Sequence, residues 1–176
     1  MPATVLIRRL TGAGPSATDI SSINTRANAA DAHSTNDTAS PITIPPSGTN
    51  YSYWVTTRLD CTVAPSGTID NLRWYSDGSN NFGTGVTCKG QEATSYVQAT
   101  GSAGNGTQLT TGNHAGITGT PVDVFGLTSG SPKSLAGSAT GTGQFGSRFV
   151  YQVEVGSTAS PGATAQETFT WKYDET

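Results

Sequence analysis

Residues 51–63, YSYWVTTRLDCTV, alternate apolar and polar with a period of two. Tyr51, Tyr53, Val55, Thr57, Leu59, Cys61 and Val63 fall on one side. Ser52, Trp54, Thr56, Arg58, Asp60 and Thr62 fall on the other. Successive side chains of a strand point to opposite faces, so this stretch predicts one long strand with a buried face. Residues 68–75, TIDNLRWY, predict the next strand. Leu72 and Trp74 share one face there, and Ile69, Asn71, Arg73 and Tyr75 the other. The turn chemistry of APSG at 64–67 predicts a hairpin between the two. Near the C-terminus, residues 148–155 place Phe149, Tyr151, Val153 and Val155 opposite Arg148, Val150, Gln152 and Glu154. Residues 165–173 place Phe169, Trp171 and Tyr173 opposite Thr168, Thr170 and Lys172. With GSTASPG (156–162) between them, these predict a second hairpin, and a pairing of Glu154 with Lys172 across it.

Weaker signals fill the rest. Residues 4–10 predict a short first strand with a charged end at Arg8 and Arg9, and 86–89, 94–100 and 122–127 predict further short strands. Residues 17–38 have no period of two or 3.6, 34–47 are rich in Ser, Thr, Asn, Asp and Pro, and Ile42 and Ile44 mark a brief extended piece closed by Pro45 and Pro46. An unstructured stretch this long is uncommon inside a compact domain, so it reads as an extended arm or a surface-wrapping loop. The division is 1–48, first strand plus arm, and 49–176, a core with a Gly/Ser/Thr-rich loop region at 101–143. With about eight strands and no convincing helix, the expected fold is all-β, an antiparallel β-sandwich or jelly-roll-like barrel.

Composition narrows the function classes. Charged residues make up 12% of the chain, about half the usual ~25%, and Thr, Ser, Gly and Asn take their place. Such a surface can lie against neighbours without desolvating many ions. The nine Lys and Arg are scattered, so no basic stripe is present to meet nucleic acid. No run approaches the roughly 18 apolar residues of a membrane span. The N-terminus does not read as a secretory signal, which places synthesis in a cytoplasm.

Candidate chemistry is sparse. Cys61 and Cys88 read as two reduced, buried thiols, with a disulfide between their strands as the alternative. His33 and His114 lie in loops without a nucleophile or metal motif around them, and read as solvated. Asp77, Ser79 and Asn81 alternate as calcium-loop oxygens do, but the further carboxylates are missing, and an Asx-bonded turn is the plainer reading. Trp54 projects from the polar side of its strand. It and Arg58, with Arg8 and Arg9, are the candidate interface residues, since aromatics and Arg are enriched at interface cores. No catalytic residue, cofactor site or metal site is expected.

Four stretches carry a resemblance: PSGTNYSYW (46–54), NLRWYSDG (71–78), TQLTTGNH (107–114) and ETFTWKYDET (167–176). Together they resemble small structural proteins encoded by tailed bacteriophages, virion components of the head-decorating kind. The resemblance implies a particle-bound β-sandwich present in many copies. Its expected partners are other copies of itself and a major capsid protein, with an arm reaching a neighbour. Its location would be the virion and its action non-enzymatic. The alternative expectation is a tail, fibre or adhesin-like module that recognises a glycan or protein.

Overall fold

The computed structural model describes residues 2–36 and 38–176; Met1 and Asp37, both in the 1–48 region, lie outside the described residues. The chain is an all-β antiparallel sandwich. Its strands are β1 (Thr4–Thr11), β2 (Ser16–Asp19), β3 (Thr49–Tyr51), β4 (Val55–Val63), β5 (Ile69–Ser76) and β6 (Val86–Ala93). They continue with β7 (Gly101–Ser102), β8 (Asn105–Gly106), β9 (Val122–Asp123), β10 (Lys133–Ser134), β11 (Gly143–Gly156) and β12 (Phe169–Glu175). The count exceeds the expected one because β3, β7, β8, β9 and β10 are pairings of only two or three residues.

The long sheet runs β2-β1-β4-β11-β6-β9, with β3 paired to the far end of β11. The short sheet runs β10-β5-β12, and β7 and β8 form a separate hairpin. Neither predicted long hairpin forms. Both edges of β4 are taken, by β1 and β11, so β5 crosses to the opposite layer. There its apolar face meets that of β4 instead of extending the same sheet. β12 likewise leaves β11 and pairs with β5. Glu154 therefore meets Lys89 of neighbouring β6 at 3.2 Å, not Lys172. The chain end is tied down as a C-terminal strand should be: Thr176 N donates to Thr68 O, and Thr68 N to Thr176 O.

Asn71 corrects the face assignment of β5. Its φ is +51°, and between Asp70 and Arg73 the strand holds two residues opposite one of β12. Such a bulge flips the parity of everything beyond it. Ile69 before the bulge and Leu72 and Trp74 after it thus all point inward, and each is at most 1% exposed. Between the sheets they meet Val55, Leu59, Cys61, Cys88, Phe149 and Val153. Trp74 stacks on Phe149 with centroids 3.8 Å apart.

Residues 94–100 form no strand, and 122–127 become β9 followed by one 3-10 turn, Val124–Gly126. The Asp123 carboxylate caps that turn by accepting from Phe125 N. Among the irregular residues 20–36 and 38–48, several contact the chain's own core. Tyr53 N donates to Asn28 O and Thr43 N to Gly104 O, both at 2.8 Å, and Ala27, Ile42 and Ile44 pack on the core.

Candidate functional site: an arginine row on the outer face of the long sheet

The even-numbered side chains of β4 point away from the short sheet. One half of this outer face is covered. Residues 94–117 fold over it, and Trp54 and Val150 pack there with Ala93, Ala99, Leu109 and Ile117. Trp54 is 3% exposed, and its indole donates to Val97 O at 3.0 Å. Its expected role as an exposed interface aromatic does not hold: the polar side of its strand has a third layer of its own. Gln152 anchors that layer by accepting from Leu109 N and donating to Ser52 O and Thr107 O.

The other half is open, and there Arg8 and Arg58 are directly opposed across β1 and β4. Arg8 pairs with Asp60 at 2.8 Å. Arg58 Nε donates to Gly146 O at 2.9 Å, reaching the irregular pairing of β11 between Phe145 and Phe149. Arg148 comes from the same irregularity and donates to Thr94 O at 2.9 Å. Burial pushes the Arg58 guanidinium below its ordinary value; nearby Arg148 adds to this and Asp60 opposes it. Of the carboxylates nearest the row, Asp60 is ion-paired with Arg8. Asp19, across from Arg8 in β2, accepts from Ser21 N and Oγ at one oxygen and keeps its charge, so two carboxylates stand against three guanidinium groups. In a chain of net charge −3, the row is a local excess of positive charge. Sequence reasoning missed Arg148: its parity was legible, but only cross-strand register brings it to Arg58.

Arg9 departs from expectation. Its parity is that of Thr57, its partner in β4, so it points into the sandwich, and it is 1% exposed. Nη1 donates to Thr25 Oγ1 at 2.7 Å and Arg26 O at 2.6 Å, while Nε has no partner. Arg9 is therefore not a surface contact. Burial lowers its pKa from the ordinary arginine value.

Cys61 and Cys88 are free and buried, with no disulfide between them. β11 separates their strands, and their register partners Gly143 and Val153 lie ten residues apart along it; with the irregularity between Phe145 and Phe149 this is roughly 25 Å. Burial raises both thiols above the ordinary value. His114 is not solvated: it is fully buried against Trp54. His33 shares a hydrogen bond with Thr25. Asp77 accepts from Ser79 N in an Asx turn, and Asn81 N donates instead to Glu167. Among the described residues no group of three or more His, Cys, Asp or Glu is placed to hold a metal. No helix among them is long and apolar enough to cross a membrane.

A cleft of about 900 Å³ opens between the sheets beside β12. Thr57, Tyr151 and Val153 form its floor, Trp74, Phe169 and Trp171 one wall, and residues 20–28, Asn36, 38–44 and 159–168 close over it. Compared with known proteins, the chain matches no protein family, no curated protein sequence and no solved structure.

Proposed function

We propose that this chain is a non-enzymatic structural component of a virion, a decorating or stabilising protein of a tailed-bacteriophage head. The observation that carries the reading is the row Arg8–Arg58–Arg148 on the open half of the long sheet. Three half-buried guanidinium groups, held at their inner edges by Asp60 and by main-chain carbonyls, keep further N–H groups for carboxylates or carbonyls of a neighbour. A planar, pre-held fork loses little freedom on contact, which suits a surface docked in many copies. The low charged fraction and the resemblance at 46–54, 71–78, 107–114 and 167–176 support the same reading. The row would face a capsid protein or another copy of this chain. A glycan-binding module built on Trp54 has less support, because that indole is covered by residues 94–117.

Mass spectrometry of purified particles tests the proposal. The expected result is this chain at a copy number commensurate with capsid symmetry, with occupancy reduced by Arg58→Ala. Particles free of the chain would overturn it.

A further inference from the structure

The cleft between the sheets has a chemistry separate from the outer face. Its surface is mostly aliphatic and aromatic, from strands of both sheets. Its volume suits a ligand of small-molecule size, since ligand sites commonly span roughly 300–1,000 Å³. Two polar groups stand out at its floor. Tyr151 lines the cleft and is only 6% exposed, yet its hydroxyl makes no hydrogen bond among the described residues. Arg9 lies just behind the surface, bonded to the lining residues Thr25 and Arg26. No carboxylate among the described residues is within ion-pair distance of it; Asp31, in its electrostatic surroundings, accepts from Gly12 N. A buried cation without an anion is costly, and the Tyr151 hydroxyl faces the cleft with no acceptor among the described residues. One ligand group would relieve both.

We propose that the cleft binds a fatty acid, with the hydrocarbon tail between the sheets and the carboxylate at Tyr151 and Thr25, backed by Arg9. A carboxylate brings acceptors and no donors, matching the Tyr151 hydroxyl and the unpartnered Trp171 Nε1 of the lining, while the unpartnered acceptor Asn28 Oδ1 is left to the tail or to water. The Tyr151 phenol donates directly. The Thr25 hydroxyl accepts from Arg9 Nη1 and shares a hydrogen bond with His33 Nδ1, so it turns its own proton to the ligand in the tautomer in which His33 Nδ1 is the donor. Burial holds the Tyr151 phenol above its ordinary pKa, so it remains a donor at neutral pH. Among the described lining residues the one carboxylate, Glu167, is engaged by Asn81 N and Nδ2, so an amine would find no free anion among them. This inference is independent of the virion reading.

The test uses the full chain and three probes of equal tail length, dodecanoate, 1-dodecanol and dodecylamine, each below its micellar concentration, titrated by calorimetry. The expected result is one saturable site, with dodecanoate bound about tenfold or more tighter than dodecanol and dodecylamine weakest. Tyr151→Phe keeps the ring in the core and should weaken dodecanoate about tenfold while leaving dodecanol within twofold. Arg9→Met should abolish the preference for the acid. Should that variant fail to fold, Tyr151→Phe decides alone. Equal affinity for acid and alcohol, no saturable binding of dodecanoate, or a Tyr151→Phe variant with undiminished acid preference would each overturn the proposal.

Discussion

The Trp54 indole and the His114 imidazole meet edge to face, their centroids 5.3 Å apart and their planes at 62°. One ring belongs to the segment entering β4, the other to the loop covering the outer face. The pair therefore clips the third layer to the sheet. His114 is fully buried, and neither ring nitrogen has a hydrogen-bond partner among the described residues.

That burial makes the clip acid-sensitive. Desolvation lowers the His114 pKa in the folded chain; the residue's own backbone opposes this, and Arg148 in β11 adds to the lowering. A folded-state pKa below the unfolded value means that the unfolded chain binds the proton first. Stability is then fully present above about pH 6.5, the unfolded value, and falls as pH drops below it toward the folded pKa. The slope from one such proton reaches at most about 1.4 kcal/mol per pH unit. His33, lowered by burial and by Arg9, contributes in the same sense. Urea midpoints measured from pH 7.5 to 4.5 should show a shallower acid decline in His114→Phe than in the parent chain. Parallel curves would contradict the assignment.

Gln152 holds the same layer by hydrogen bonds. It is 1% exposed, accepts from Leu109 N at 2.7 Å, and donates to Ser52 O and Thr107 O at 2.7 and 2.8 Å. Gln152→Leu keeps the volume but leaves buried main-chain groups unpaired, at a cost of about 2–4 kcal/mol. Hydrogen exchange at the Leu109 amide should accelerate more than exchange within β5, which lies in the other sheet.

The bulge at Asn71 offers a backbone test. Its φ of +51° suits Asn or Gly and strains a β-branched residue. Asn71→Val should cost about 1–3 kcal/mol by chemical denaturation. Asn71→Gly should cost less, chiefly the side-chain bond to Asp174. Equal losses would show that the side chain, not the conformation, matters at this position.

Gly104 reports on how residues 20–48 are held. It has φ +76° and accepts from Thr43 N at 2.8 Å, and a Cβ there would collide with the Thr43 hydroxyl. Gly104→Ala should destabilise the chain by about 1–3 kcal/mol and speed proteolytic cleavage within 38–48. Unchanged cleavage would mean that the segment does not depend on this contact.

The period of two was enough to find β4, the C-terminal part of β11 and β12, because alternation reports directly which side chains share a face. It carries no information about partners. Hence β4 and β5 read as a hairpin, although they face each other across the core, and Arg148 could not be joined to Arg58. Where a bulge intervenes, alternation misleads even about faces, as at Ile69 and Leu72. Trp54 and Arg9 read as interface residues because Trp54 falls on the polar side of its strand and Arg9 on the charged end of the first strand, and aromatics and Arg are enriched at interface cores. What buries them is irregular chain, residues 94–117 over Trp54 and 25–33 beside Arg9, which has no periodic signature.

The open arginine row is the centre of the functional account, and a density map of the chain in its native assembly tests it most directly. The account predicts Arg8, Arg58 and Arg148 beneath a neighbouring subunit, their free N–H groups on its carboxylates or carbonyls, with residues 20–48 still on their own domain. A map in which this face of the long sheet is open to solvent and the contacts lie elsewhere would contradict it.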